Sequence, residues 1–411
     1  MPRAQWRSLT GGILNTGSEL DLIRIKFWLA RLWHGRDMSQ TLAGSDLVAA
    51  GQGSAAPLDP AQDARRAIAT WLLLCCVLVF AIVVVGGVTR LTRSGLSITE
   101  WQPILGTLPP LSEADWSAAF DKYRQTPEYQ QVNRGMVLAE FKGIFWWEYF
   151  HRLLGRAVGV AFFVPFVWFL VRRRLSRPLA WRLAGVFALG AAQGALGWFM
   201  VMSGLIDEPR VSHLRLTAHL GLALAIYAAM WWIALRLLAP PRATEGMYPP
   251  GTAPAARIAS LARHAKWLAV LVFVMALSGA MVAGLRAGFA YNTFPLMNGQ
   301  WIPSEIMTLE PWPRNFVYNM ATAQFVHRAL AWLLMLAVPL LWLAMRRAPL
   351  VPRARLAGHA LVGALALQVA LGIATLVNGV PLALAALHQA GAVLLLSVAL
   401  WVAFELRRAL P

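Results

Sequence analysis

Four of the eight histidines occupy matching places in two halves of the chain. His151 and His327 are each followed directly by an arginine, and His219 and His388 come later in the same halves. A Gln-x-x-Leu-Gly motif lies between the members of each pair. It begins 42 residues after His151 and 41 residues after His327. Polar landmarks that stay in register between apolar stretches indicate an internal repeat.

The chemistry that fits these pairs is haem ligation. Histidine inside an apolar span is costly and usually functional, and neutral imidazole is a good ligand for haem iron. A lone histidine of this kind is often only a hydrogen-bonded core residue, but two pairs in register argue against that. Zinc would need further ligands, and no cysteine or carboxylate cluster joins the second pair. We predict one haem between His151 and His219 and another between His327 and His388. No CxxCH motif for covalent haem occurs.

A carboxylate distinguishes the two sites. Glu148 lies three residues before His151, on the same helix face and one turn nearer the outside. The matching residue in the second half is Gln324. This difference suggests that the first site performs chemistry and that the second transfers or stores electrons. The alternative is an interfacial Glu148 that is simply paired with Arg152.

Four arginines recur at the outer ends of the spans. Arg152 and Arg328 directly follow their histidines, and Arg93 matches Arg286 in a Gly-x6-Arg-x-Gly motif. Arginine is the preferred partner of carboxylates. We therefore expect these four residues to bind haem propionates.

The elements that position these residues are membrane spans. The chain has 411 residues, of which 58% are hydrophobic and only 14% charged, far less charge than a soluble domain carries. Eight apolar runs are long enough to cross the hydrocarbon core. They are Ala67–Val88, Glu148–Val171, Leu179–Gly204, His213–Leu238, His264–Leu285, Ala321–Met345, Arg355–Val377 and Leu382–Phe404.

The net charge of +18 is a topology signal. In a soluble protein it would indicate a nucleic-acid partner, but here the basic residues concentrate at the termini and in the even-numbered loops, as in Arg172-Arg173-Arg174. By the positive-inside rule both termini are cytoplasmic, and we expect no nucleic-acid partner. The adjacent Cys75 and Cys76 point in different directions on one helix, so we interpret them as small core residues.

These patterns predict an all-α polytopic protein with eight transmembrane helices in two pseudo-symmetric four-helix bundles. Residues 1–66 would form a flexible cytoplasmic arm without a signal peptide, with Met38 an alternative start to Met1. Residues 67–240 would form the first half, with a long outer loop at 89–147. A cytoplasmic linker at 241–263 would lead to the second half at 264–411.

Several ordered motifs in this framework resemble haem A synthase of the alphaproteobacterial and mitochondrial type. The resemblance covers roughly Ile68–Ala403. The motifs are Thr89-Arg90-Leu91, Ser94-Gly95-Leu96-Ser97, Thr126-Pro127-Glu128-Tyr129, Phe145-Trp146-Trp147-Glu148, His151-Arg152, Arg215-Leu216-Thr217-Ala218-His219 and Gln324-Phe325-Val326-His327-Arg328. The bacillus-like type carries a cysteine pair in an outer loop, and this chain has none there.

The resemblance implies an enzyme of the bacterial inner membrane that oxidises a ring methyl of haem O to a formyl, giving haem A for terminal oxidases. It implies that His151 and His219 hold the substrate haem, that His327 and His388 hold haem B, and that Glu148 is the essential carboxylate. Implied partners are haem O, haem O synthase, oxidase assembly factors, membrane lipid and a second copy of the chain. Two alternatives stay open: a di-haem cytochrome b that transfers electrons only, and a transporter with parallel repeats and a polar cavity near the midplane.

Overall fold

The protein is an all-α polytopic chain. The structure is a computed structural model that describes residues 60–102, 105–206, 208–239 and 249–410. Eight of its helices are long and apolar enough to cross a membrane, as predicted, and no strand occurs in these ranges. In chain order the spans are Pro60–Leu91, Leu138–Val171, Arg177–Leu205, His213–Leu238, Ala253–Gly284, Met320–Arg346, Pro352–Val377 and Leu382–Arg408. Most of the predicted arm, Met38 included, and residues 241–248 of the predicted linker lie outside the described residues.

Three spans begin seven or more residues before their predicted apolar runs. The first span begins at Pro60. The second begins at Leu138, which lies inside the predicted outer loop. The second extends because Phe141 and Phe145, one helical turn apart, are buried against the outer loop. The fifth begins at Ala253, inside the predicted linker, where the Thr252 side chain accepts a hydrogen bond from a backbone N–H of the first turn and so caps the helix.

Each set of four consecutive spans packs in a closed ring, first to second, second to third, third to fourth and fourth back to first. The rings meet where the first and fourth spans contact the eighth and the fourth contacts the fifth. Polar bonds cross this junction. Gln389 Nε2 donates to the Val83 carbonyl at 2.7 Å, and Tyr227 Oη lies 2.8 Å from Ser397 Oγ.

An outer cap, defined here as residues 92–102 and 105–137, connects the first two spans. It contains the helices Glu113–Arg124 and Pro127–Gln131, whose N-termini are capped by the side chains of Ser112 and Thr126. Trp116 and Tyr123 of the cap form a buried aromatic cluster with Phe141, Phe145 and Tyr149 at the start of the second span. The cap therefore rests on the helix that carries Glu148 and His151.

Candidate haem-binding sites

The structure brings the four histidines together in the predicted pairs. His151 on the second span and His219 on the fourth interact electrostatically, as do His327 on the sixth and His388 on the eighth. All four side chains are partly buried. No group of three or more His, Cys, Asp or Glu residues suited to a metal ion occurs in the described part of the chain. Each pair thus offers two imidazoles without a third protein ligand.

A glycine on the preceding span makes room for every one of these rings. A Cβ added at Gly86 would lie 2.7 Å from His151 Cε1, and one at Gly197 would lie 2.9 Å from His219 Cε1. The second site repeats this arrangement, with distances of 3.2 Å at Gly279 to His327 and 2.8 Å at Gly372 to His388. At Gly86, Gly197 and Gly372 the contact is shorter than real Cβ atoms make, so any larger residue would displace the imidazole, and at Gly279 the ring would have to shift by a few tenths of an ångström.

Two glutamines hold the helices that carry the later histidines. Gln193 Nε2 donates to the His219 carbonyl at 3.0 Å, and Gln368 Nε2 donates to the His388 carbonyl at 3.0 Å. The sequence pattern marked both glutamines only as landmarks of the repeat. Their role depends on contacts between helices that spacing along the chain does not reveal.

These residues fit haem. The Nδ1 atoms of His151 and His388 are buried and have no hydrogen-bond partner among the described residues. A buried polar atom without a partner is costly, whereas coordination of iron by one ring nitrogen defines the state of the other. Two facing imidazoles in apolar surroundings match a six-coordinate haem iron and its macrocycle.

Glu148 is almost fully buried, with 2% of its surface exposed, and it is bound on both sides. Its Oε2 accepts from Ser97 Oγ at 2.8 Å and from the Ile98 backbone N–H at 2.8 Å. Its Oε1 accepts from Arg152 Nη2 at 2.6 Å and from Arg152 Nε at 3.0 Å. The ion pair of the alternative interpretation is therefore present. Sequence analysis missed Ser97 and Ile98, because about fifty residues separate them from Glu148.

Arg152 and Arg328 bind backbone carbonyls of the segments that follow the first and fifth spans. Arg152 Nη2 donates to the Ile98 carbonyl at 2.7 Å, and Arg328 Nη2 donates to the Tyr291 carbonyl at 2.9 Å. Gln324 Nε2 also donates to the Tyr291 carbonyl, at 3.1 Å. At both sites the residue after the histidine thus ties the adjoining outer segment to the helix, a function that the expected propionate contact did not include.

Arg93 and Arg286 stand at equivalent turns just after the first and fifth spans. Their φ angles are 56° and 57°, in the left-handed region that residues with a Cβ rarely adopt. Neither guanidinium forms a hydrogen bond with the described residues. Burial, Arg93 and Arg210 lower the pKa of Arg286. Arg93, Arg210 and Arg286 therefore lie close enough to interact, and Arg93 and Arg286 also interact electrostatically with Glu128.

A second buried carboxylate lies in the outer cap. Glu128 is 5% exposed and accepts a hydrogen bond from Tyr123 Oη at 3.3 Å, while Asn133 Nδ2 donates to that Oη at 2.7 Å. Burial and the charge of Glu148 raise the pKa of Glu128 to about 7, against the lowering effects of the Tyr123 hydrogen bond and of nearby arginines. Glu128 belongs to a motif that carried the family resemblance, but its burial could not be read from that motif.

Comparison with known proteins shows the family to which the chain is similar. A family model described as "Cytochrome oxidase assembly protein" matches residues 69–400. A protein named "Heme A synthase" from Nitrosospira multiformis is 59% identical over 84% of this chain and 94% of its own length. One of that name from Rhodospirillum centenum is 51% identical over 84% and 89%. A plant relative from Arabidopsis thaliana is 44% identical over 85% of this chain and 76% of its own.

Proposed function

The chain belongs to the cytochrome oxidase assembly protein family, and we propose that it is a haem A synthase, as its relatives are named. Its activity is the oxidation of a ring methyl of haem O to a formyl group by successive hydroxylations. The observation that carries this proposal is the pair of bis-histidine sites, of which only the first has a buried carboxylate beside its histidine.

The two sites have different roles in this proposal. We propose that His151 and His219 hold the substrate haem O and release the product haem A. His327 and His388 hold a resident haem B, which supplies one-electron redox chemistry when bound. Two halves at 67–240 and 264–411, related by a parallel pseudo-symmetry, account for the matching glycines and glutamines. The closed rings of spans and the Gly–His contacts support this arrangement.

Glu148 is the residue that distinguishes the substrate site. Its carboxylate lies between Arg152 on one side and the Ser97 and Ile98 donors on the other. We assign to it the electrostatic stabilisation of positive charge that develops at the reacting methyl carbon, or the acceptance of a proton lost there. Arg93 and Arg286, whose guanidinium groups have no hydrogen-bond acceptor among the described residues, bind haem propionates, and Arg152 and Arg328 form the adjacent cationic rim.

The proposed role also implies a cellular location and a set of partners. We place the chain in the bacterial inner membrane with both termini cytoplasmic and both haem sites near the outer surface. Its partners are haem O, membrane lipid, the haem O synthase that delivers the substrate, oxidase assembly factors and a second copy of the chain. The cytochrome b alternative predicts two permanent haems and no need for Glu148.

Pigment extraction tests the proposal. Membranes that contain this chain together with a source of haem O should yield haem A, and membranes with the chain variant His151→Ala should yield haem O only. A second control, without the chain, should also yield haem O only. If the full chain accumulates two unmodified haems and forms no haem A under aerobic conditions, the electron-transfer alternative is correct instead.

A further inference from the structure

A groove opens where the two rings of spans meet, away from both haem sites and opposite the outer cap. It has a volume of about 510 Å³ and is bounded by the fourth, fifth and eighth spans. Its lining residues on the fifth span recur every three or four positions, which is the spacing of one helix face. They include Ala259, Ala262, Lys266, Ala269 and Phe273. The three alanines leave room between the helices, so this face is open to an apolar occupant.

Three cations line the same groove. They are Arg263 and Lys266 of the fifth span and Arg407 of the eighth. All three residues are exposed, and none forms a hydrogen bond or an ion pair with the described residues. No aspartate or glutamate is among the described residues that line the groove. Glu405 on the eighth span is buried and lies 3.4 Å from Nε of Arg353 instead. The groove therefore carries positive charge without a protein counter-charge.

The cations lie where the apolar parts of their helices end. Arg263 directly precedes the apolar run that begins at His264, and Arg407 lies three residues beyond the run that ends at Phe404. These are the positions at which spans meet the lipid headgroups. Phe273 lines the groove ten residues after Arg263, which is about 15 Å deeper along the helix. The groove is thus cationic at the membrane surface and apolar towards the midplane.

We propose that this groove binds one anionic phospholipid, with its phosphate between Arg263, Lys266 and Arg407 and an acyl chain along the alanine face of the fifth span. Basic pockets between membrane spans recognise anionic headgroups in this way. A second copy of the chain does not suit the groove, because a twofold contact would place the cations of both copies against each other. The inference is independent of the haem chemistry.

The lipid also has a structural consequence. The groove is formed by spans of both halves, since the fourth belongs to the first ring and the fifth and eighth to the second. Trp232 of the fourth span packs edge-on against Phe404 of the eighth, with 5.4 Å between the ring centroids. A molecule that binds only the folded protein stabilises it by mass action. An anionic lipid in the groove should therefore stabilise the junction of the two halves.

The test uses the full chain, purified in a neutral detergent, delipidated and titrated with phosphatidylglycerol. Native mass spectrometry counts the lipid retained by each chain, and thermal unfolding reports its effect on stability. We expect one tightly retained phosphatidylglycerol and a higher melting temperature when it is bound. Phosphatidylcholine, which has the chains without the net charge, should not replace it. Glycerol 3-phosphate, which has the charge without the chains, should not displace it.

Two sets of variants separate this groove from basic charge in general. The groove set removes the three cations, as Arg263→Gln, Lys266→Gln and Arg407→Gln. Each cation near an anionic lipid contributes about a fivefold change in binding, so the three together should weaken retention roughly 100-fold. The matched control removes three exposed arginines around the loop between the second and third spans, as Arg172→Gln, Arg177→Gln and Arg182→Gln. It should leave retention unchanged.

A third variant tests the apolar wall without changing any charge. Ala262→Phe fills the groove beside Arg263 and should also weaken retention, while the groove-cation set keeps the test valid if Ala262→Phe folds poorly. Equal retention of phosphatidylglycerol and phosphatidylcholine, or equal losses in the groove and control sets, would overturn the inference. Displacement by glycerol 3-phosphate would reduce the groove to an anion site. If Ala262→Phe dissociates a dimer and leaves lipid retention unchanged, the groove binds a second copy of the chain instead.

Discussion

Replacement of Glu148 by glutamine should stop the oxidation of haem O and leave both sites able to bind haem. The substitution resembles the second half, which has Gln324 at the matching position. It removes the negative charge that we assign to the reaction but leaves His151 and His219 in place. The expected result is accumulation of haem O or of a hydroxylated intermediate.

The structure also gives the cost of this substitution. Four donors converge on the carboxylate, two from Arg152 and one each from Ser97 and Ile98. An amide has a single acceptor oxygen, so it can satisfy one side while its NH2 faces donors on the other. Loss of two hydrogen bonds to a charged group, with Arg152 left buried without a counter-charge, costs about 3–5 kcal/mol. The substitution therefore destabilises the packing of the segment that follows the first span.

A matched control separates charge from anchoring. Ser97→Ala removes one donor and loosens the same segment by about 1 kcal/mol, but it keeps the carboxylate and its ion pair. The assay is separation of extracted haems, together with the haem content of the purified protein. We expect Glu148→Gln to retain haem and lose haem A formation, and Ser97→Ala to retain both. Normal haem A formation in Glu148→Gln would refute the catalytic role. Loss of all bound haem, or an equal loss of activity in Ser97→Ala, would make Glu148 an anchor of the loop.

Three further results are expected. His388→Ala should abolish the low-spin haem B signal in absorption spectra, whereas a full signal in that variant would remove His388 from the ligand set. A reporter that is active only outside the cytoplasm should be active when fused after Glu113 and silent after Arg174, and the reverse would invert the topology. Because burial raises the pKa of Glu128 from 4.5 to about 7, its ionisation costs the outer cap roughly 3 kcal/mol at alkaline pH. The stability it contributes is complete below pH 4.5 and is lost as the pH rises through 7, so Glu128→Gln should slow proteolysis of the cap at pH 8 and leave it unchanged at pH 4.5.

Periodicity was sufficient for the eight spans, and the haem-binding role of the histidine pairs stays a prediction. Apolar length predicts a membrane helix directly, since the hydrocarbon core demands about twenty apolar residues whatever the tertiary structure. The starts of the first, second and fifth spans were not predicted, because each helix extends before its apolar run. At Leu138 the continuation follows from Phe141 and Phe145, whose side chains share one face and pack on the outer cap.

Contacts between segments that are distant along the chain could not be predicted from the sequence. The ion pair of Glu148 with Arg152 follows from helical spacing and was foreseen as an alternative. The bonds of Glu148 with Ser97 and Ile98 depend on how the chain returns after the first span, and no local pattern determines that path. The pairing of Ser278 with His327 has the same origin, since it joins the fifth span to the sixth.

The two sites share their frame and differ in few polar groups, which makes those groups informative. Glycine beside each imidazole and an arginine tied to the outer segment occur at both sites, so neither feature can explain a difference in chemistry. A difference that remains is Glu148 against Gln324. It places a buried carboxylate beside the histidine of one site and a neutral amide beside that of the other. This difference fits the proposed division of roles, because a carboxylate can stabilise developing positive charge or accept a proton and an amide cannot.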